Sequence, residues 1–385
     1  MKILLVTDAW KPQMNGVVRT LSKTIEECEK AGHIVEVIAP SDGFLTMPLP
    51  TYPDISISLF AKREVERRLV LFAPDAVHIA TEGPLGWAAR ALCLKWGMPF
   101  TTSYHTKFPE YIHARFPLLP LFLGYKFVRD FHNAGGRIMV TTPSMVEFLA
   151  EKNFYNLAAW ARGVDLTQFN PKVRFAKNDK FGADVYVGLK RPIFVNVGRL
   201  AVEKNIETFL ELDLVGTKVV VGDGPQMAAL QKKYKDQAVF TGAKHGSELA
   251  RYYADADVLV FPSKTDTFGL VIIEAMATGT PVAAYPVHGP IDIIPNSSAG
   301  VVDDDLRAAC LACLDLDRSD AARHAKKYAW KKVAADFVGL LEPETEPQRR
   351  RRWRRARRAL KLASAPWRII KKIVRRLGRL LKTGR

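Results

Sequence analysis

The residues best suited to chemistry lie between Phe261 and Glu274, in the run FPSKTDTFGLVIIE. An apolar strand ends at Pro262, a polar turn follows, and Gly269 opens a helix that carries Glu274 one to two turns in. Free backbone N–H groups at a helix start attract anions, and a glycine there lets a ligand approach the main chain. A carboxylate farther along the same helix can accept hydrogen bonds from the hydroxyls of a ribose. The layout suits a nucleoside diphosphate, with Phe268, Gly269 and Leu270 forming the turn. By itself it also fits an ordinary strand–turn–helix, so other segments must decide.

Those segments occur in a definite order. Asn15-Gly16-Val17 follows the first apolar strand, and Ser103 to Glu110 reads SYHTKFPE around His105. Arg162-Gly-Val-Asp165, Val197-Gly-Arg199 with Lys204, and Val221-Gly-Asp-Gly-Pro225 come next. Together with the 261–274 run they resemble the retaining glycosyltransferase family 4, over about residues 1 to 340. The resemblance implies the GT-B fold, two Rossmann-like domains whose parallel sheets face a central cleft. His78 to Gly86 (HIATEGPLG) and Thr265 to Gly269 resemble the branch that includes glycolipid synthases using UDP-sugars.

The resemblance also implies roles. Arg199 and Lys204 match the family's diphosphate ligands, a planar fork beside a mobile point charge. Asp266 and Glu274 match its two acidic residues separated by seven others, with Asp266 standing where the family usually has Glu. His105 matches a donor-sugar contact needed for transfer, and the turn at Gly16 brings backbone N–H groups to the diphosphate from the opposite domain. The expected catalytic residues are therefore His105, Arg199, Lys204 and Asp266. Gly16, Phe268, Gly269, Leu270 and Glu274 join the last three around the donor. Arg19 could meet an acidic sugar or the acceptor, or be a surface charge. Front-face displacement with retention is implied, the leaving phosphate oxygen taking the acceptor proton. Cations and backbone amides then replace a divalent ion, so neither cofactor nor metal is expected. Asp303-Asp-Asp305 reads as a loop or helix N-cap instead of a metal motif.

These residues need scaffolds to hold them. Short apolar strands alternate with helical patterns in both halves, which implies parallel sheets covered on both faces. Ligands of such sheets bind beyond the carboxyl ends of the strands, where Gly16, His105 and Arg199 fall. The expected division is a domain over 1–175 on the acceptor side and a donor domain over 190–341 whose last helix packs back. A linker over 342–348 and a tail over 349–385 complete it.

The net charge of +17 is concentrated in that tail. Residues 349–385 hold 17 Lys and Arg and no acidic residue, leaving 40 basic and 40 acidic residues in a neutral body. From Pro366 to Lys382 an apolar stripe of Trp367, Ile370, Ile373, Leu377 and Leu381 opposes Lys371 and Arg375, the pattern of a basic amphipathic helix lying in a membrane interface. Arginine-rich segments also bind nucleic acid, but the clean apolar stripe favours an anionic membrane surface. A further apolar stretch, Phe116 to Arg129, reads either as a membrane-facing surface or as a buried helix.

Cys28, Cys93, Cys310 and Cys313 read as packing residues in a reducing compartment. No secretory signal or bilayer-spanning run is expected, which points to a cytoplasmic protein on the inner face of the cell membrane. The expected partners are a nucleotide-sugar donor, a lipid acceptor and an anionic membrane surface, without nucleic acid. The expected activity is transfer of a hexosyl or uronosyl group from a nucleotide sugar, a UDP-sugar first, to a lipid acceptor, diacylglycerol first. The alternatives are a mannosyl- or glucosyltransferase of cell-surface polysaccharide and a non-enzymatic basic-tail tether.

Overall fold

A computed structural model describes residues 1–356 except 14, 50–51, 117, 176–183, 295–297, 347–350 and 355. Two six-stranded parallel sheets organise it. The first runs, in spatial order, through Ile34–Ile38, Lys2–Val6, Ala76–Ile79, Thr101–Tyr104, Arg137–Val140 and Leu157–Ala159. The second runs through Ala238–Phe240, Thr217–Val221, Ile193–Val197, Val258–Phe261, Val282–Ala284 and Gly300–Val302.

Buried strands of this kind are apolar on both sides, and successive residues feed opposite layers. Ile3 and Leu5 pack with Leu21 beneath the helix Gly16–Lys30, whereas Leu4 and Val6 pack with Leu85 and Leu92 on the other face. The second sheet behaves alike: Val195 and Leu259 enter one core, Phe194 and Val260 the other. An antiparallel pair, Thr46–Leu49 with Tyr52–Ser58, lies outside both sheets.

After the second sheet the chain returns to the first. In the helix Trp330–Leu340, Trp330, Val333 and Phe337 bury against Ile3 and Leu5, and Trp160 Nε1 donates to the Val333 carbonyl at 3.1 Å. A Cβ on Gly163 would lie 2.3 Å from the Trp330 indole, so only glycine permits that approach. The segment beyond, read in the sequence as a linker and tail, continues along the first domain. The Glu344 N–H donates to the Asp75 carbonyl at 2.9 Å, and Arg352 pairs with Glu344 and donates to the Gly97 carbonyl.

Trp353 corrects the reading of the tail. It is 5% exposed, edge-on to Trp96 at 6.1 Å, within the first domain's core. A large aromatic gains more from that crevice than a run of neighbouring arginines suggests. Trp367, Ile370, Lys371, Ile373, Arg375, Leu377 and Leu381 lie outside the described residues. All four cysteines are free and buried. Among the described residues no helix is long and apolar enough to cross a membrane.

Candidate active site between the two sheets

The carboxyl ends of the two sheets meet. Gly269 (φ +90°) caps the helix Leu270–Ala277, which holds Glu274 at mid-length. A Cβ on Gly16, the first residue of the opposing helix, would stand 3.5 Å from Leu270 Cδ1, so the two helix starts face each other. Asn15 caps the Gly16 helix by accepting from the N–H groups of Val17 and Val18, both at 3.0 Å.

Each expected carboxylate has a cationic partner. Lys204 Nζ lies 2.5 Å from Asp266 Oδ1. The turn holding Asp266 rests on the Val202–Lys204 turn, where Thr265 Oγ1 donates to the Glu203 carbonyl at 3.2 Å. Asp266 Oδ2 is buried and has no hydrogen-bond partner among the described residues. Glu274 pairs with Arg19 across the cleft and accepts from the Tyr253 hydroxyl at 3.0 Å. Burial pushes the Glu274 carboxyl up, against the pull of Arg19 and Tyr253.

Arg199 stands apart. It is exposed at the end of Ile193–Val197 and makes no hydrogen bond or ion pair with the described residues. Phe268 is buried and edge-on to Tyr328.

His105 follows the strand Thr101–Tyr104. Arg162 Nη2 lies 2.9 Å from its Nδ1. A guanidinium can only donate, so Nδ1 accepts and the proton sits on Nε2. That Nε2 is buried without a partner among the described residues. Burial, then the charge of Arg162, holds the ring well below the ordinary imidazole range. His105 is thus a neutral hydrogen-bond donor, unable to act as an acid through an imidazolium near neutral pH. Thr267 Oγ1 donates to the His105 carbonyl at 2.9 Å, and Thr141 Oγ1 to the Thr267 carbonyl at 2.7 Å. These bonds set His105 beside the Asp266 turn.

Several residues here escaped the sequence reading. Arg162 stood only as part of a motif, yet it fixes the His105 tautomer. Ser144 donates its N–H to Asp292 Oδ1 at 2.9 Å and its hydroxyl lies 2.9 Å from His288 Nδ1, a second bridge between domains. A carboxylate and a serine separated by 148 positions carry no local signal. His78 and His132 are each hydrogen-bonded through both ring nitrogens inside the first domain. Asp305 is an N-cap, accepting from Arg307 and Ala308, both at 3.0 Å.

A cavity of about 460 Å³ lies elsewhere, beneath the second sheet. Its Arg191 and Arg318 bind the carbonyls of Asp255, Ala254 and Ala256, capping the helix Gly246–Asp255.

Known proteins resemble this chain along most of its length. Residues 14–168 match the model described as Glycosyltransferase Family 4, and residues 191–316 that of Glycosyl transferases group 1. A GDP-mannose-dependent alpha-mannosyltransferase of Mycobacterium tuberculosis is 30% identical over 320 residues, covering 78% of this chain and 83% of that one. An alpha-monoglucosyldiacylglycerol synthase of Streptococcus pneumoniae is 27% identical over 381 residues, covering 88% and 84%. Among solved structures, sucrose-phosphate synthase from Thermosynechococcus elongatus superposes with a TM-score of 0.67 at 20% identity, covering 88% of this chain and 98% of that one. The two facing parallel sheets are the GT-B fold, and the chain belongs to glycosyltransferase family 4 as a hexosyltransferase.

Proposed function

We propose that this hexosyltransferase moves a sugar, with retention, from a nucleotide donor held in the cleft to a lipid acceptor, diacylglycerol being the first to test. The carrying observation is a pair of orphaned polar atoms from opposite domains, His105 Nε2 and Asp266 Oδ2. Leaving such groups unmade costs about 1–3 kcal/mol each. One is a donor and the other an acceptor, which suits the hydroxyls of a pyranose lying between them. Glu274 takes the ribose hydroxyls. Arg199 and Lys204, with the N–H groups at Gly16 and Leu270, stabilise the diphosphate as its charge develops. Its leaving oxygen then takes the acceptor's proton.

Cations and amides meet that charge without a metal. Activity should therefore survive dialysis against EDTA; loss on chelation, restored by Mg²⁺ or Mn²⁺, rejects this part.

The acceptor reading draws on the first domain's surface. Around the start of the helix Leu121–His132, Leu118 is 99% and Phe122 67% exposed, with Phe116, Leu119, Leu123 and Phe127 also exposed. A shallow cavity of about 340 Å³ there is lined by Phe122, Tyr125, Lys126, Arg129 and Lys152. Contiguous apolar surface rimmed by cations suits a peripheral site on an anionic leaflet. The relative named for glucosyldiacylglycerol points the same way. The mannosyltransferase relative supports a second reading, in which the donor is GDP-mannose. The test is to incubate the protein with UDP-glucose or GDP-mannose, diacylglycerol-containing vesicles and soluble oligosaccharides together, then identify the product by mass spectrometry. A glycosylated water-soluble saccharide with no lipid product would reject the acceptor.

A further inference from the structure

Glu274 is wholly enclosed apart from the cleft, with a side chain 3% exposed, whereas that of Arg19 is 39% exposed. The two charges come from different domains: Arg19 from the helix Gly16–Lys30, Glu274 from Leu270–Ala277. We infer that Arg19 is a positioning residue for the donor, reaching across the cleft to hold the Glu274 carboxylate as an acceptor for the ribose hydroxyls. The inference rests on the donor site proposed above.

A carboxylate offers about four acceptor positions. Arg19 takes one on Oε1 and the Tyr253 hydroxyl one on Oε2, leaving one on each oxygen. That is the pattern a vicinal diol needs, one hydroxyl to each oxygen. It requires the carboxylate form, because a protonated carboxyl loses an acceptor position and turns one oxygen into a donor.

The groups facing Glu274 are few. Arg19 approaches from the first domain, and Tyr253 comes from the helix Gly246–Asp255 with Tyr186 behind it. Burial favours the neutral acid, and the only cation opposing it among these groups is Arg19. The Arg19 guanidinium also lies over the Phe169 ring at 5.8 Å, which limits its freedom to swing away. Without Arg19, a buried carboxyl would keep only a tyrosine hydroxyl, and its proton would return at a higher pH than in the wild type.

The experiment measures binding of UDP-glucose and GDP-mannose by calorimetry at pH 6, 7 and 8. Neither diphosphate ester exchanges a proton in this range. For the wild type, affinity should stay nearly constant. Arg19→Ala and the closer isostere Arg19→Gln should weaken progressively toward pH 6, approaching about tenfold per pH unit below the raised pKa. Arg19→Lys should restore most of the flat profile. A strut that merely joins the domains would weaken binding equally at every pH, so parallel profiles in the Ala and Gln variants overturn the inference. Glu274→Gln separates the two levels of argument. If it binds like the wild type, or if neither probe binds the wild type, the donor site itself is wrong. If Glu274→Gln binds weakly while Arg19→Gln keeps a flat profile, only the role of Arg19 falls.

Discussion

At the residue scale, the two proposed diphosphate cations differ in what else they do. Arg199 is exposed and makes no bond to the described residues, so the fold does not depend on it. Lys204 is tied to Asp266 at 2.5 Å, and its loss leaves a largely buried carboxylate without its charge partner. Arg199→Ala should therefore keep the melting temperature within about a degree while lowering kcat/KM by about 10²–10³, the effect of removing one preorganised charge-stabilising donor. Lys204→Ala should lower both turnover and melting temperature. Thermal melts beside steady-state kinetics check the contrast, and an Arg199→Ala variant with normal turnover rejects its role in the cleft. The types and order of these residues were readable because local chemistry demands them: a glycine at φ +90°, then a carboxylate on the following helix. Their partners were not readable. Nothing near Arg162 in the chain announces that its guanidinium sets the proton position on His105, 57 residues away.

At the element scale, the clearest link is between the first strand and the helix Pro84–Trp96. Asp8, just past Lys2–Val6, accepts from the Leu85 N–H at 2.9 Å, the Gly86 N–H at 3.3 Å and Thr81 Oγ1 at 3.0 Å. A Cβ on Gly83 would lie 2.3 Å from the Asp8 carboxyl carbon, so the helix start closes directly over it. Burial outweighs these donors and raises the carboxyl to about 6. Between the ordinary value of 3.8 and about 6, the folded chain holds a proton that the unfolded chain has shed. Asp8 therefore adds stability as pH falls through that window and removes it as pH rises. Asp8→Asn should lose this response. Relative to the variant, the wild type should gain about 2 kcal/mol between pH 7 and pH 4, by urea denaturation at each pH. A difference that does not change with pH rejects the assignment. The strands were legible as short, mostly continuous apolar runs alternating with helical patterns, as Ile193–Val197, Val258–Phe261 and Val282–Ala284 illustrate. The pair at 46–58 was not, because Pro48, Pro50 and Pro53 interrupt its pattern. Asp8 was equally hidden, since its helix begins 76 residues later.

At the scale of the whole molecule, a neutral catalytic body carries a strongly basic end, and the boundary between them is set by packing. Charge alone places it at residue 349, but Arg352 and Trp353 belong to the first domain through Glu344, Gly97 and Trp96. Two truncations should therefore behave differently. Ending the chain after Ala356 removes 11 of the 17 basic residues and the whole apolar stripe around Trp367 while keeping Trp353. That protein should retain the wild-type melting temperature and bind nucleotide sugar normally. It should sediment poorly with anionic vesicles and turn over lipid acceptors slowly unless detergent presents them. Ending after Glu346 also removes Trp353 and should cost about 3–5 kcal/mol, the usual loss on emptying a buried Trp site. Full-length binding to vesicles should weaken with salt without vanishing, because screening acts on the charges and not on inserted apolar side chains. The same proteins titrated with RNA and duplex DNA at equal ionic strength make the comparison decisive. If the full-length chain binds nucleic acid tightly and ignores vesicles, the tail is no membrane anchor. The lipid acceptor would then rest on the exposed surface around Phe122 alone.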